Sequence, residues 1–172
     1  LPGKIVCSFI MGTHKLYEWA NDNPQLEMRP SIFTNDPFQI ARNDHMISIN
    51  SALAIDLTGQ VAADTVGGRF FSGIGGQVDF IRGSARSKGG KPIIALPATA
   101  KNGTISRINP VFEEGAGIVT SRGDIHYVVT EFGVADLWGK NIRDRAHALI
   151  RIAHPDFRDE LLAAAKARRF IM

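Results

Sequence analysis

The segment Ser72-Gly73-Ile74-Gly75-Gly76-Gln77-Val78-Asp79-Phe80-Ile81-Arg82-Gly83 puts three glycines within four residues, ahead of an apolar run carrying one acid and one base. Without Cβ atoms a chain turns through φ > 0 at little cost and brings backbone N–H groups close to a ligand. A row of such amides makes a site for an anion or for an oxyanion that develops during reaction. The same glycines also suit a tight turn feeding a strand or helix. The nucleotide motifs do not fit. A P-loop carries Lys and then Ser or Thr after its last glycine, where this chain has Gln77-Val78. In G-x-G-x-x-G the third glycine would fall on Val78, and no clear acid for a ribose follows about 20 residues on, near Asn102 and Gly103.

Other candidates surround this loop. Glu131 follows Val128-Val129-Thr130 and precedes Phe132-Gly133. A carboxylate ending an apolar strand is either a helix N-terminal charge or a site group at the C-terminal edge of a sheet, where ligands of open α/β folds gather. Asn35 precedes Asp36-Pro37 and reads as a cap or turn residue. Asp79 is placed to support the loop by accepting backbone N–H bonds, and Arg82 to meet a phosphate or to pair with Asp79. Ser72 lacks the G-x-S-x-G elbow, since Phe70 holds the first glycine position. The five histidines show no metal-ligand spacing and the single Cys7 provides no pair, so no metal site is expected. Cys7 lies in an apolar run and reads as a buried small hydrophobe.

These groups need a scaffold, and 172 residues suit one domain of roughly 100–200. Hydrophobic residues at 44% and charged residues at 22% describe a globular chain rather than a disordered one. The net charge of +3 suits a polyanionic small molecule; the basic residues alternate with acids, which argues against nucleic acid. No apolar stretch approaches the roughly 20 residues of a membrane span, and no signal peptide is visible. One cysteine suits a reducing cytoplasm. The opening Leu1-Pro2-Gly3, without Met, reads as a start inside a larger protein.

The patterns predict a buried strand over 4–11, a short helix after Gly12-Thr13 that ends before Pro24, and an extended segment over 28–34. A helix opens at Asn35-Asp36-Pro37 with Phe38, Ile40 and Ala41 on its apolar side. Period-two alternation predicts a strand over 46–51; a hairpin over 53–66 turns at Thr58-Gly59. A strand over 92–96 is expected to pair with 105–108 across Asn102-Gly103; 116–120 and 126–130 are two more short apolar runs, the second ending at Glu131. Ile142, Ala146, Leu149, Ile150 and Ala153 then form a helical stripe, and a last helix runs from Asp156 to Lys166-Ala167-Arg168-Arg169. The class is α/β.

Taken in order, Pro2-Gly3-Lys4, Met11-Gly12-Thr13, Ile47-Ser48-Ile49-Asn50-Ser51, Asp56-Leu57-Thr58-Gly59-Gln60-Val61, Phe71 to Gly83, Ser87-Lys88-Gly89-Gly90-Lys91, Ser106-Arg107-Ile108 and His126 to Gly133 resemble the C-terminal domain of the acetyl-CoA hydrolase/transferase family, near the 4-hydroxybutyrate and butyrate:acetate CoA-transferases. The resemblance covers nearly the whole chain. It implies a CoA-transferase-type α/β domain, a mixed and mostly parallel sheet flanked by helices, with residues 1–172 as the C-terminal domain of a two-domain enzyme. It implies covalent chemistry on a glutamate, through an acyl-glutamyl anhydride and a glutamyl-CoA thioester. Gly76 matches the glycine whose N–H holds the oxyanion, Asn35 an active-site asparagine, and Glu131 a second glutamate that organises the site. Gly73, Gly75, Gly76 and Gln77 are expected to contact the substrate and CoA. The implied substrates are an acyl-CoA and a small carboxylate (acetate, butyrate or 4-hydroxybutyrate), with no permanently bound cofactor, and the full-length enzyme is expected to be a homo-oligomer. The family's nucleophilic glutamate belongs to a Gly-x-His-[Ser/Thr]-Glu loop, and no such loop occurs between Leu1 and Met172. The chain alone is therefore expected not to turn over. Hydrolysis of a short acyl-CoA uses the same residues, and a non-catalytic CoA- or nucleotide-binding module is the reading from another class.

Overall fold

The computed structural model describes residues 1–172. In chain order the elements are β1 (Ile5–Cys7), α1 (His14–Ala20), β2 (Leu26–Met28), α2 (Ser31–Thr34), α3 (Pro37–Ala41), β3 (Ile47–Ser51), β4 (Ala54–Asp56), β5 (Val61–Ala62), β6 (Thr65–Val66), β7 (Arg69–Phe70), α4 (Gln77–Arg86), β8 (Lys91–Ala95), β9 (Thr99–Ala100), β10 (Ile105–Ser106), β11 (Ile108–Asn109), β12 (Tyr127–Thr130), β13 (Gly133–Asp136), α5 (Ile142–Arg151) and α6 (Pro155–Ala167).

The main sheet has the order β13-β12-β8-β3. β3, β8 and β12 run parallel, and β13 returns antiparallel. It is thus mixed and mostly parallel, as expected. Strand alternation sends Ser48, Ile94, Val128 and Ala135 to one face, where α4 and α5 pack. The opposite face stays open: Ile47 is 54%, Ile49 69% and Val134 63% exposed. The helices of this chain therefore cover one face of the sheet rather than flanking both.

A second sheet, β11-β4-β5, continues the core beyond the ends of β3 and β8. Its β4–β5 hairpin is pinned by Asp56, whose buried carboxylate accepts from the Thr58 and Gln60 amides at 2.9 Å each and from Thr58 Oγ1 at 2.7 Å. Gly59 supplies the positive φ (91°) that this turn needs. Ile55, Leu57, Val61, Ile94, Ile108, Val128, Leu149 and Leu161 belong to one core joining both sheets to α5 and α6. Asn141 caps α5 by accepting the Asp144 N–H at 2.9 Å. No helix is long and apolar enough to cross a membrane.

Several expectations change. The strand expected over 4–11 is only β1, paired with β2 in a separate two-stranded sheet; with nothing layered over it, Phe9 and Met11 are exposed and Cys7 is half-buried rather than core. The segment 28–34 is not extended throughout, because the Pro30 carbonyl accepts from Phe33 and Thr34 and starts α2. Asp36 caps α3 through the Phe38 N–H, with Pro37 in the first turn, but Phe38 is exposed and only Ile40 is buried. The residues 105–108 do not pair with β8. Lys101, Asn102 and Gly103 all take positive φ and close a hairpin at once, so β10 meets β9, while β11 joins β4. The run 116–120 contributes a single bridge, Val61 to Thr120.

The contact between α3 and α4 sets the site. A methyl group at Gly83 would lie 2.5 Å from Ile40 Cβ. Glycine there lets the two helices meet closely, which brings Asn35, just ahead of α3, to the start of α4.

Candidate active site

The glycine loop leads into α4, and Gly76 is its N-cap. No backbone N–H from Gly73 through Asp79 finds an acceptor within the chain; the first that does is Phe80, which donates to Gly76 O at 3.2 Å. The open amides at the start of a helix carry its positive partial charge. The loop is anchored upstream by Asp64 O, which accepts from Phe71 at 2.6 Å and Ser72 at 3.2 Å. The three glycines differ in what they require. Gly75 has φ 61°. At Gly76 an added methyl group would overlap Asn35 Nδ2. At Gly73 the space is open.

Gln77 has a role other than the expected ligand contact. It is buried; its Nε2 donates to Ser51 O at 2.7 Å, and its Oε1 accepts from Thr120 Oγ1 at 2.7 Å. The side chain ties the first turn of α4 to the end of β3 and leaves its backbone N–H without an acceptor. The loop-support roles of Asp79 and Arg82 also change. Asp79 makes no hydrogen bond to the loop amides. Arg82 donates from Nε and Nη2 to the two oxygens of Asp124 at 2.9 and 3.1 Å, so it neither pairs directly with Asp79 nor points free to a phosphate. Asp124 lies 42 residues away, which hides this partner from local reading.

That pair yields a stability prediction. The Arg82 hydrogen bond holds the Asp124 carboxyl below its usual range. A depressed carboxyl contributes stability above its unfolded pKa and loses it as pH falls through the folded value. Because Arg82 is half exposed, Arg82→Met should cost no more than about 1 kcal/mol near neutral pH. The difference should disappear in acid, below the ordinary carboxylate range. Urea melts across pH check this; a cost that grows in acid would contradict it.

Asn35 closes α2, its N–H donating to Ser31 O and its Oδ1 accepting from Thr34 Oγ1, both at 2.8 Å. It lines a cavity of about 970 Å³ with Gly76, Gln77, Phe80, Phe9 and Asn50. Asn50 lies on the helix-facing side of β3, and its Nδ2 is buried without a partner. Glu131 follows β12 and is exposed; its Oε2 accepts the buried Ala98 N–H at 2.8 Å. Since β3, β8 and β12 are parallel, Glu131 and the start of α4 share the C-terminal edge of the sheet. The strands that lead to them, β12 and β3, lie two apart in the sheet, about 10 Å by strand spacing. The structure thus joins Asn35, Gly76 and Gln77 and sets Glu131 along the same edge without contact.

Sequence reading missed Thr120, which locks Gln77, and Ala98, which orients Glu131; neither has a local signal. It also missed Asn50, although this residue lies in a segment that carries the family resemblance. No group of three His, Cys, Asp or Glu side chains gathers to hold a metal.

Residues 12–165 match the acetyl-CoA hydrolase/transferase C-terminal domain. The chain belongs to this family. It is 54% identical over 167 residues to the 4-hydroxybutyrate coenzyme A transferase of Clostridium kluyveri, covering 97% of this chain and 39% of that protein. It superposes on RipA from Yersinia pestis with a TM-score of 0.92 at 48% identity, covering 98% of this chain and 38% of that one. A more distant relative, 31% identical over 154 residues, is an acetyl-CoA hydrolase of Yarrowia lipolytica, of which 28% is covered against 88% of this chain. The chain thus spans under two-fifths of the length of these relatives.

Proposed function

We propose that this chain is the C-terminal part of a longer CoA-transferase that moves CoA between an acyl-CoA and a small carboxylate such as acetate, butyrate or 4-hydroxybutyrate. The observation that carries this reading is the row of unpaired amides from Gly73 to Asp79, mounted rigidly by Gln77 and flanked by Asn35. Preorganised donors of this kind stabilise charge as it develops. In the proposed mechanism a glutamate elsewhere in the longer polypeptide attacks the thioester carbon. The Gly76 N–H receives the oxyanion, and CoA thiolate leaves as an acyl-glutamyl anhydride forms. The thiolate then attacks the glutamyl carbonyl and releases the acid, leaving a glutamyl-CoA thioester. The acceptor carboxylate reverses both steps. Asn35 orients the acyl or carboxylate group, Gly73 and Gly75 allow close approach of CoA, and Glu131 organises the edge. CoA enters and leaves as a substrate. The bare face around Ile47, Ile49 and Val134 is covered in the full-length homo-oligomer.

Hydrolysis is the second reading, favoured by the Yarrowia lipolytica relative; water would intercept the same intermediate. The full-length protein incubated with butyryl-CoA, with and without acetate, separates the two. Acetyl-CoA formed only with acetate supports transfer. Free CoA in both arms, with no acetyl-CoA, supports hydrolysis and refutes transfer.

A further inference from the structure

Arg107 stands where three parallel strands end. Its N–H donates to Ala98 O at 2.8 Å, just past β8, and its carbonyl accepts from Ile55 N at 2.9 Å. Its Nη1 donates to Ala52 O at 3.2 Å, just past β3. Ala98 in turn gives its N–H to Glu131, just past β12, and Ser51, beside Ala52, holds Gln77 at the foot of the glycine loop. The residue therefore lies at the C-terminal ends of β3 and β8, on the sheet edge that also carries Glu131 and the loop.

Its bonding is incomplete in one direction. With Nη1 occupied, Nε is buried without a partner, and Nη2 makes no hydrogen bond but is not sealed from solvent. No acid lies within ion-pair distance. Nε and Nη2 form the side of the guanidinium that grips a carboxylate with two parallel bonds. Arg82 uses the same two nitrogens on Asp124 in this fold. Arg107 thus offers the same fork with no protein carboxylate to fill it, at the edge where the open amides lie.

We infer that Arg107 is the seat of the acceptor acid: its Nε/Nη2 edge, brought into reach by a small side-chain shift, holds the small carboxylate beside the glycine loop. This rests on the transfer reading above and adds the group that recognises the acid. A purely structural Arg107, stapling Ala52 to the sheet edge, would alter stability and leave the binding of acetate unchanged.

The test uses the full-length protein with Arg107→Gln and Arg107→Lys, with acetate titrated onto each and transfer rates measured beside it. The acid enters and leaves through the same kind of transition state in the two half-reactions, so kcat/KM for butyryl-CoA and for acetate should fall together. Losing a charged, two-point hydrogen bond should weaken the equilibrium binding of acetate roughly 10- to 100-fold in Arg107→Gln, with a smaller loss in Arg107→Lys. Unchanged acetate binding in Arg107→Gln, no acetate binding by the unsubstituted protein, or failure of both variants to fold would overturn the inference. If the unsubstituted protein does not transfer CoA at all, it is the transfer reading that fails.

Discussion

Replacing Gly76 by Ala in the full-length protein should lower the rate of CoA transfer by about 10²–10³-fold, the range seen when an oxyanion donor is disturbed, and leave the fold intact. A methyl group at this position overlaps Asn35 Nδ2. Asn35 is held at its backbone and through its Oδ1, so relief of the clash must come from moving the asparagine, the loop, or both. Either movement shifts the donors relative to the reacting carbonyl, and misplacement of about 1 Å is enough to cost two orders of magnitude. Gly123→Ala is the internal control. An added methyl group there meets only Ser121 Oγ, at an ordinary 3.5 Å, and its φ is not positive, so its rate should stay within a few-fold of the parent. Initial rates and thermal melts of both variants check the pair. Equal rates for Gly76→Ala and the parent would remove Gly76 from the oxyanion site.

Gln77→Leu should destabilise this chain by about 1–3 kcal/mol, the cost of leaving buried polar groups without partners. Leucine is similar in size but supplies neither the donor for Ser51 O nor the acceptor for Thr120 Oγ1. Thr120 is fully buried and cannot turn to water. The loss also frees the first turn of α4 from the end of β3, so transfer by the full-length variant should fall with stability. Urea unfolding of the chain measures the first effect. A variant as stable as the parent would show that the tie between α4 and β3 is dispensable.

The sequence made the α/β class, the parallel strand β3, the hairpin at Thr58-Gly59 and the last two helices readable, because each depends on local pattern: alternation, a turn residue, a stripe, a cap. The glycine loop was also legible as a turn into a helix that leaves backbone amides open, since three glycines in four residues permit both. What lay beyond reach was partnership across long separations. Gln77 looked like a ligand contact because Thr120 and Ser51, 43 and 26 residues away, do not announce themselves. Arg82 looked free because Asp124 is equally remote. The segment 105–108 was sent to the wrong partner because Lys101 and Asn102 take positive φ without being glycine. The open face of the main sheet was invisible for a related reason: apolar alternation marks a face that wants cover, and does not say what covers it.

The central claim is that this chain holds the oxyanion loop and lacks the nucleophile. The measurement that tests it most directly compares the purified 172-residue chain with the full-length protein, using butyryl-CoA and acetate and following acetyl-CoA by mass. The account predicts acetyl-CoA from the full-length protein and none from the folded chain alone. Acetyl-CoA formed by the isolated chain would place a complete site within Leu1–Met172 and contradict it.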